Sequence, residues 1–95
     1  MAGVNLDRGS WELRALNYLI NYCGKEMSRF NSGETRDEFV IVDYGLNEES
    51  QLEVVTGYVD ENGKLSKNWT TNYFDIDREG LEFAFDFLGI DEEEI

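Results

Sequence analysis

The chain has 95 residues, of which 21 are Asp or Glu, 8 are Lys or Arg and none is His, so its formal net charge is −13. A surface with this charge repels nucleic acid and anionic membranes. It attracts basic surfaces, which belong mostly to proteins that bind nucleic acid. The alternative is that the acidic residues only keep a small domain soluble. The length predicts a single acidic domain over residues 1–95, and a hydrophobic fraction of 41% is enough for a compact core.

The N-terminal segment is predicted to be an amphipathic helix. Ser10 is its expected N-cap, and Glu12 lies in the first turn, where the helix dipole favours a carboxylate. Apolar residues recur at spacings of three and four in two neighbouring stripes, Leu13, Leu16, Ile20, Cys23, Met27 and Phe30 in one and Trp11, Ala15, Tyr18 and Tyr22 in the other. Gly24 interrupts the pattern, so the helix either ends there or continues weakly to Phe30.

Three strands are predicted after this helix. Residues 39–44 are almost continuously apolar, and residues 51–59 alternate between apolar and polar, so each forms a strand. The pair Asn62-Gly63 then predicts a type I′ hairpin turn, in which both central residues have positive φ. A third strand is expected from about residue 64 to residue 74.

The last predicted element is a second helix over residues 78–88. Asp77 is its expected N-cap, Gly89 follows its last residue, and residues 91–95 form a short solvated acidic tail. Since three strands bury a face only when helices cover it, both helices are expected on one side of the sheet. The predicted fold class is α+β, in the order α-β-β-β-α, with a three-stranded antiparallel meander.

The second helix separates its acidic residues from its core residues. At 100° per residue, Glu79, Glu82 and Asp86 share one arc and form a ridge of carboxylates, and Phe83 and Phe87 lie beside it. These two rings could enter the apolar parts of a nucleic-acid-binding cleft or form a homodimer contact. The alternative is that they pack under the N-terminal segment while the carboxylates are only solvated.

The sequence offers few side chains that could act as a catalytic base, a nucleophile or a metal ligand. There is no His to act as a base, and Cys23 lies on an apolar helix face, so a core cysteine is expected rather than a nucleophile. Asp75 and Asp77 have the spacing of some divalent-metal sites, but a strand end followed by an N-cap explains them as well. We therefore expect no enzyme activity, no metal and no cofactor.

Features that the sequence lacks predict the cellular compartment and exclude membranes and nucleic acid as partners. A single cysteine cannot form an internal disulfide, and no stretch reaches the roughly 20 apolar residues of a membrane helix. The N-terminal residues lack the apolar run of a secretory signal. These features predict a cytoplasmic protein that binds neither membranes nor, without a basic patch, nucleic acid itself.

The charge pattern itself indicates where a partner would bind. Residues 73–95 hold nine carboxylates and one base, a local net charge of −8. The expected partner-binding residues are Asp75, Asp77, Glu79, Glu82, Phe83, Asp86 and Phe87.

A small acidic α/β domain with this carboxylate ridge resembles, as a class, the phage-encoded inhibitors of host defence. These are the anti-CRISPR and anti-restriction proteins, several of which imitate nucleic acid, and the residues behind the resemblance are Asp75, Asp77, Glu79, Glu82, Asp86 and 91–94. The resemblance implies a non-enzymatic inhibitor in the host cytoplasm, with a basic nucleic-acid-binding host protein as its partner.

Three other functions remain open at this point. The first is an immunity protein or antitoxin that neutralises a basic nuclease, which would use the same physics. The second is a small metal-binding or enzyme domain built on Asp75 and Asp77. The third is an accessory subunit of a larger assembly.

Overall fold

A computed structural model describes residues 10–33 and 39–94 of the chain. Its elements are α1 (Trp11–Asn31), β1 (Phe39–Leu46), β2 (Gln51–Tyr58), β3 (Thr70–Asp75) and α2 (Arg78–Leu88), followed by a short 3-10 turn at Glu92–Glu94. The strands form one antiparallel sheet in the order β1-β2-β3. The predicted α-β-β-β-α order and α+β class are confirmed, and Ile95, the end of the predicted tail, lies outside the described residues.

The first helix begins at its predicted cap and does not break at Gly24. The Ser10 side-chain oxygen accepts a hydrogen bond from the Leu13 backbone N–H at 3.2 Å. The helix then continues to Asn31, so the alternative that it ends at Gly24 is wrong. A Cβ at this position would lie 3.1 Å from the Tyr44 hydroxyl, so the small residue lets β1 approach the helix closely.

Both helices pack on the same face of the sheet, as expected. Leu19 of α1, Leu52 and Val54 of β2, and Leu81 and Phe85 of α2 are fully buried and belong to one hydrophobic cluster. Leu19 is absent from both predicted stripes because the buried arc of α1 is centred between them. The opposite side of the sheet, which neither α1 nor α2 covers, is called the outer face below.

Strand β1 keeps its apolar side chains on the helix side by means of a bulge. Ile41 pairs with Thr56 and Asp43 pairs with Val55, which leaves Val42 as an extra residue. Strict alternation would place Tyr44 on the opposite face from Ile41, yet both pack in the core cluster because the bulge resets the alternation. The strand also continues two residues beyond its predicted end.

The hairpin between β2 and β3 has a different turn from the one predicted. The Gly63 N–H donates to the Asp60 carbonyl at 2.9 Å, and the Asp60 N–H donates to the Lys64 carbonyl at 3.0 Å. Gly63 has a φ of 80°, whereas neither Glu61 nor Asn62 has a positive φ. The turn is therefore type I followed by a glycine bulge, and the type I′ prediction was wrong. The Asp60 carboxylate favours this form because it accepts from the Asn62 and Lys64 N–H groups at 2.9 Å each.

The predicted third strand is also shorter than expected, because it begins only at Thr70. Before Thr70, an isolated antiparallel β-bridge pairs Val59 with Leu65. Leu65 and Trp69 then lie against Gly57 on the outer face, where a Cβ would meet their side chains at 3.1 and 3.2 Å. This segment covers one end of the outer face, and its backbone is held by Trp69 Nε1, which donates to the Ser66 carbonyl at 2.9 Å.

Candidate protein-binding surface on the second helix

Helix α2 is fixed at both ends by local capping. The Asp77 carboxylate accepts a hydrogen bond from the Gly80 N–H at 2.7 Å, as its N-cap position predicts. Gly89 adopts the left-handed conformation, and its N–H donates to the Asp86 carbonyl at 3.2 Å. The capped ends make α2 a rigid support for the side chains on its exposed side.

A close backbone contact sets the direction of α2 relative to β3. Gly80 is buried in the first turn of the helix, and a Cβ there would lie within 2.8 Å of the Asp75 backbone nitrogen and carbonyl carbon. The Asp75 carbonyl oxygen lies nearer still. The sequence pattern does not predict this contact, because the contact depends on the absence of a side chain at Gly80 and brings two different elements together.

The carboxylate ridge is less uniform than the sequence predicts. Glu79 and Asp86 are exposed, but Glu82 accepts a hydrogen bond from Arg78 Nε at 2.9 Å. The Arg78 guanidinium also lies 4.1 Å from the centre of the Trp11 ring. Arg78 therefore neutralises one of the three carboxylates, and the ridge consists of two free carboxylates beside an internal ion pair.

The two phenylalanines of the predicted site differ in their surroundings. Phe83 is 59% exposed, so the described part of the N-terminal segment does not cover it. Phe87 is 38% exposed, and its ring centre lies 5.7 Å from that of Phe39 and 5.6 Å from that of Phe74. The alternative that both rings pack under the N-terminal segment is wrong for Phe83, which is open, and the described ring contacts of Phe87 are to strands. The exposure of Glu79 and Asp86 agrees with the other part of that alternative, in which the carboxylates are solvated. The α2 surface is defined below as Glu79, Glu82, Phe83, Asp86 and Phe87.

Asp75 and Asp77 have separate structural roles at the β3–α2 junction. Asp75 accepts a hydrogen bond from Gln51 Nε2 at 3.0 Å across β2 and β3. Asp77 caps the helix, as described above. No group of three or more His, Cys, Asp or Glu side chains in residues 10–33 and 39–94 could hold a metal ion. This arrangement favours the interpretation of a strand end followed by an N-cap.

The acidic tail lies next to the α2 surface instead of extending away from it. Residues Glu92–Glu94 form a 3-10 turn, and the Asp91 carboxylate accepts from the Glu93 N–H at 2.9 Å. An open hollow of about 460 Å³ is lined by Glu82, Asp86, Ile90, Asp91, Glu92 and Glu93. Asp91, Glu92 and Glu93 are exposed, as a solvated tail predicts, and they add carboxylates at the C-terminal end of α2.

A second acidic region with an exposed aromatic ring lies on the outer face and was missed by the sequence analysis. This outer hollow, of about 580 Å³, is lined by Asn47, Glu48, Glu49, Gln51, Glu53 and Tyr73. Tyr73 is 56% exposed and pairs across the strands with Glu53. The alternation of β2 and β3 could have placed these two residues together, but only the fold brings the loop carboxylates beside them.

Cys23 is fully buried in the hydrophobic cluster, which confirms the prediction of a core cysteine. Burial, and to a lesser degree the negative charge of Glu26, raise the pKa of its thiol to about 12. The thiol therefore stays protonated at neutral pH and is a poor nucleophile.

Comparison with known proteins gives no relative for this chain: no protein family, curated protein sequence or solved structure matches it. In the described part of the chain, no helix combines the length and the apolar character that crossing a membrane requires.

Proposed function

We propose that this protein is a non-enzymatic inhibitor that binds a basic nucleic-acid-binding surface of a host protein through its α2 surface. The observation that supports this function is the exposure of Phe83, which stands on a capped helix between two free carboxylates, Glu79 and Asp86. An exposed aromatic ring beside two carboxylates suits a partner that offers both basic and apolar groups.

The two kinds of side chain would act at different stages of binding. The net charge of −13 attracts a basic partner and raises the rate of association, and salt screens this attraction beyond about 10 Å at 0.1 M. Phe83 and Phe87 would then be buried in the complex and slow its dissociation, as aromatic residues do at the centres of interfaces.

Two of the alternatives differ from this proposal in physical terms. A homodimer through the α2 surface would bring Glu79 and Asp86 of one copy towards the same carboxylates of another, which opposes self-association. A metal site on Asp75 and Asp77 is disfavoured because each carboxylate already has a structural role, accepting a hydrogen bond from Gln51 and from Gly80 respectively. An antitoxin that neutralises a basic nuclease uses the same surface and differs only in the identity of the partner.

The test is a comparison of three tagged proteins in a host-cell lysate, followed by mass spectrometry. These are the wild type, a triple variant of the α2 surface (Glu79→Gln, Glu82→Gln and Asp86→Asn), and a matched triple variant of the outer hollow (Glu48→Gln, Glu49→Gln and Glu53→Gln). We expect the wild type and the outer variant to capture the same basic nucleic-acid-binding protein, and the α2 variant to lose it.

The captured partner is then purified, and its affinity for each variant is measured at low and at high salt. Inhibition of nucleic-acid binding by the partner is measured in the same series. Retention of full affinity by the α2 variant at both salt concentrations would show that this surface is not the binding site.

A further inference from the structure

The protein holds one of its own arginines between an aromatic ring and a carboxylate. The Arg78 guanidinium lies 4.1 Å from the centre of the Trp11 ring, and its Nε donates to Glu82 at 2.9 Å. A guanidinium suits this arrangement because it is planar, stacks on rings and still presents N–H groups at its edge to a carboxylate.

Phe83 is a second aromatic ring beside carboxylates and lies on the helix that carries Arg78, but its ring is open. Glu79 precedes it by four residues and Asp86 follows it by three, so both carboxylates are neighbours of the ring on the helix surface. Neither carboxylate forms an ion pair with any described residue, and the Phe83 side chain is largely exposed.

We propose that Phe83, Glu79 and Asp86 bind an arginine side chain of the partner, with the guanidinium against the ring and its N–H groups directed to the carboxylates. This inference rests on the proposed function and specifies the chemistry of the partner at the same surface. Arginine is favoured over lysine because the lysine ammonium is strongly hydrated, does not stack, and lacks the planar fork of N–H groups. The carboxylates exclude an acidic occupant and oppose a second copy of this chain.

The experiment measures the binding of short oligo-arginine and oligo-lysine peptides of equal length and charge. Affinities are determined by calorimetry for the wild type, for Phe83→Leu, which keeps an apolar side chain without the ring, and for Tyr73→Leu on the outer face. Ring proton shifts of Phe83 are followed by NMR during the titrations.

We expect the wild type to bind oligo-arginine about fivefold more tightly than oligo-lysine, the ratio that a cation–π contact of about 1 kcal/mol gives. Phe83→Leu should bind both peptides almost equally, whereas Tyr73→Leu should keep the preference. Equal affinities in the wild type, or a preference unchanged by Phe83→Leu, would overturn the arginine site.

Failure of this inference can be told apart from failure of the proposed function. If both peptides bind equally, and both lose affinity when Glu79, Glu82 and Asp86 are neutralised, the α2 surface remains a basic-partner site without arginine selectivity. If neutralisation leaves the affinity of both peptides unchanged, the α2 surface itself is not the site, and both proposals fail.

Discussion

The α2 surface and the outer hollow have similar compositions and different supports. Phe83 and Tyr73 are exposed to nearly the same extent, and each has carboxylates beside it. The α2 side chains project from a helix capped at both ends, and Glu79 and Asp86 have no ion-pair partner among the described residues. In the outer hollow, Glu53 accepts a hydrogen bond from Asn47 Nδ2 at 3.3 Å, and Glu48 and Glu49 are exposed on the loop between β1 and β2. The two surfaces therefore differ in the elements that carry their carboxylates, a capped helix in one and a loop with a strand in the other, and not in charge or in the exposure of the ring.

Outside the hydrophobic cluster, the largest effect is expected where the contact between Gly80 and β3 is broken. Gly80→Val places a side chain against the Asp75 backbone, and since a backbone cannot move aside as a side chain can, we expect a loss of about 3 kcal/mol in the free energy of unfolding. Urea denaturation measures this loss. A thiol reagent gives a second readout, because Cys23 should react readily at mildly alkaline pH only when the core opens.

The control for this variant is Gly45→Ala in β1. A Cβ at Gly45 would meet nothing within 4 Å, so we expect a change below about 1 kcal/mol. If Gly80→Val were as stable as Gly45→Ala, the β3–α2 junction would not fix the helix in the way described here.

A smaller effect, confined to binding, is expected from Phe83→Ala. Because this ring is largely exposed, the free energy of unfolding should change by less than about 1 kcal/mol, while affinity for the partner should fall by about 30-fold. Calorimetric titration and urea denaturation measure the two quantities separately.

Two control variants are compared with Phe83→Ala, one in the core and one in the outer hollow. Phe85→Ala in the core should cost about 3 to 5 kcal/mol of stability. Tyr73→Ala in the outer hollow should change neither stability nor affinity substantially. If Tyr73→Ala lowered affinity for the partner as much as Phe83→Ala does, both the α2 surface and the outer hollow would take part in binding. The two surfaces would then not differ in function.

Neutralising Glu79, Glu82 and Asp86 should lower affinity for the partner by about tenfold at low salt, mainly through a slower association. The difference from the wild type should shrink as salt rises, since exposed charges are screened. The thermal midpoint should stay the same or increase, because removing like charges offsets the loss of the Arg78–Glu82 pair. Stopped-flow association rates and thermal denaturation measure these outcomes, and an unchanged salt dependence would argue against steering by this surface.

The smallest effect is expected from removing residues 91–95. The tail contributes carboxylates beside the end of α2 but none beside Phe83, so we expect a loss of about twofold in affinity at low salt. The same titration detects it. A loss as large as that of the triple variant would move the centre of the binding surface from α2 to the tail.

The features that the sequence predicted correctly depend on neighbouring residues. Ser10, Asp77 and Gly89 mark helix ends through contacts within a few positions, so their residue types were sufficient to place the boundaries. The position of Phe83 beside the carboxylates of α2 followed from helical spacing, but spacing alone left the exposure of its ring open.

The features that the sequence analysis missed have both local and distant causes. The Arg78–Glu82 pair has the i, i+4 spacing of helix ion pairs and could have been found, whereas the contact of Arg78 with the Trp11 ring joins the two helices. The contact of Gly80 with the Asp75 backbone spans only five residues, but it depends on the direction of α2 relative to β3, which the residue pattern does not specify.

The turn at residues 60–63 was predicted wrongly for a local reason. Asn-Gly favours a type I′ turn, but the hydrogen bonds that the Asp60 side chain accepts stabilise type I geometry instead.

The contact between Trp11 and Arg78 gives the protein an internal optical reporter. Trp11 is one of only two tryptophans in the chain, and it lies beneath the arginine that borders the α2 surface. With Trp69→Phe, the remaining emission would come from this single ring. A partner that draws Arg78 or Glu82 into its own contacts would shift or quench that emission, so docking on α2 could be followed in real time without a label.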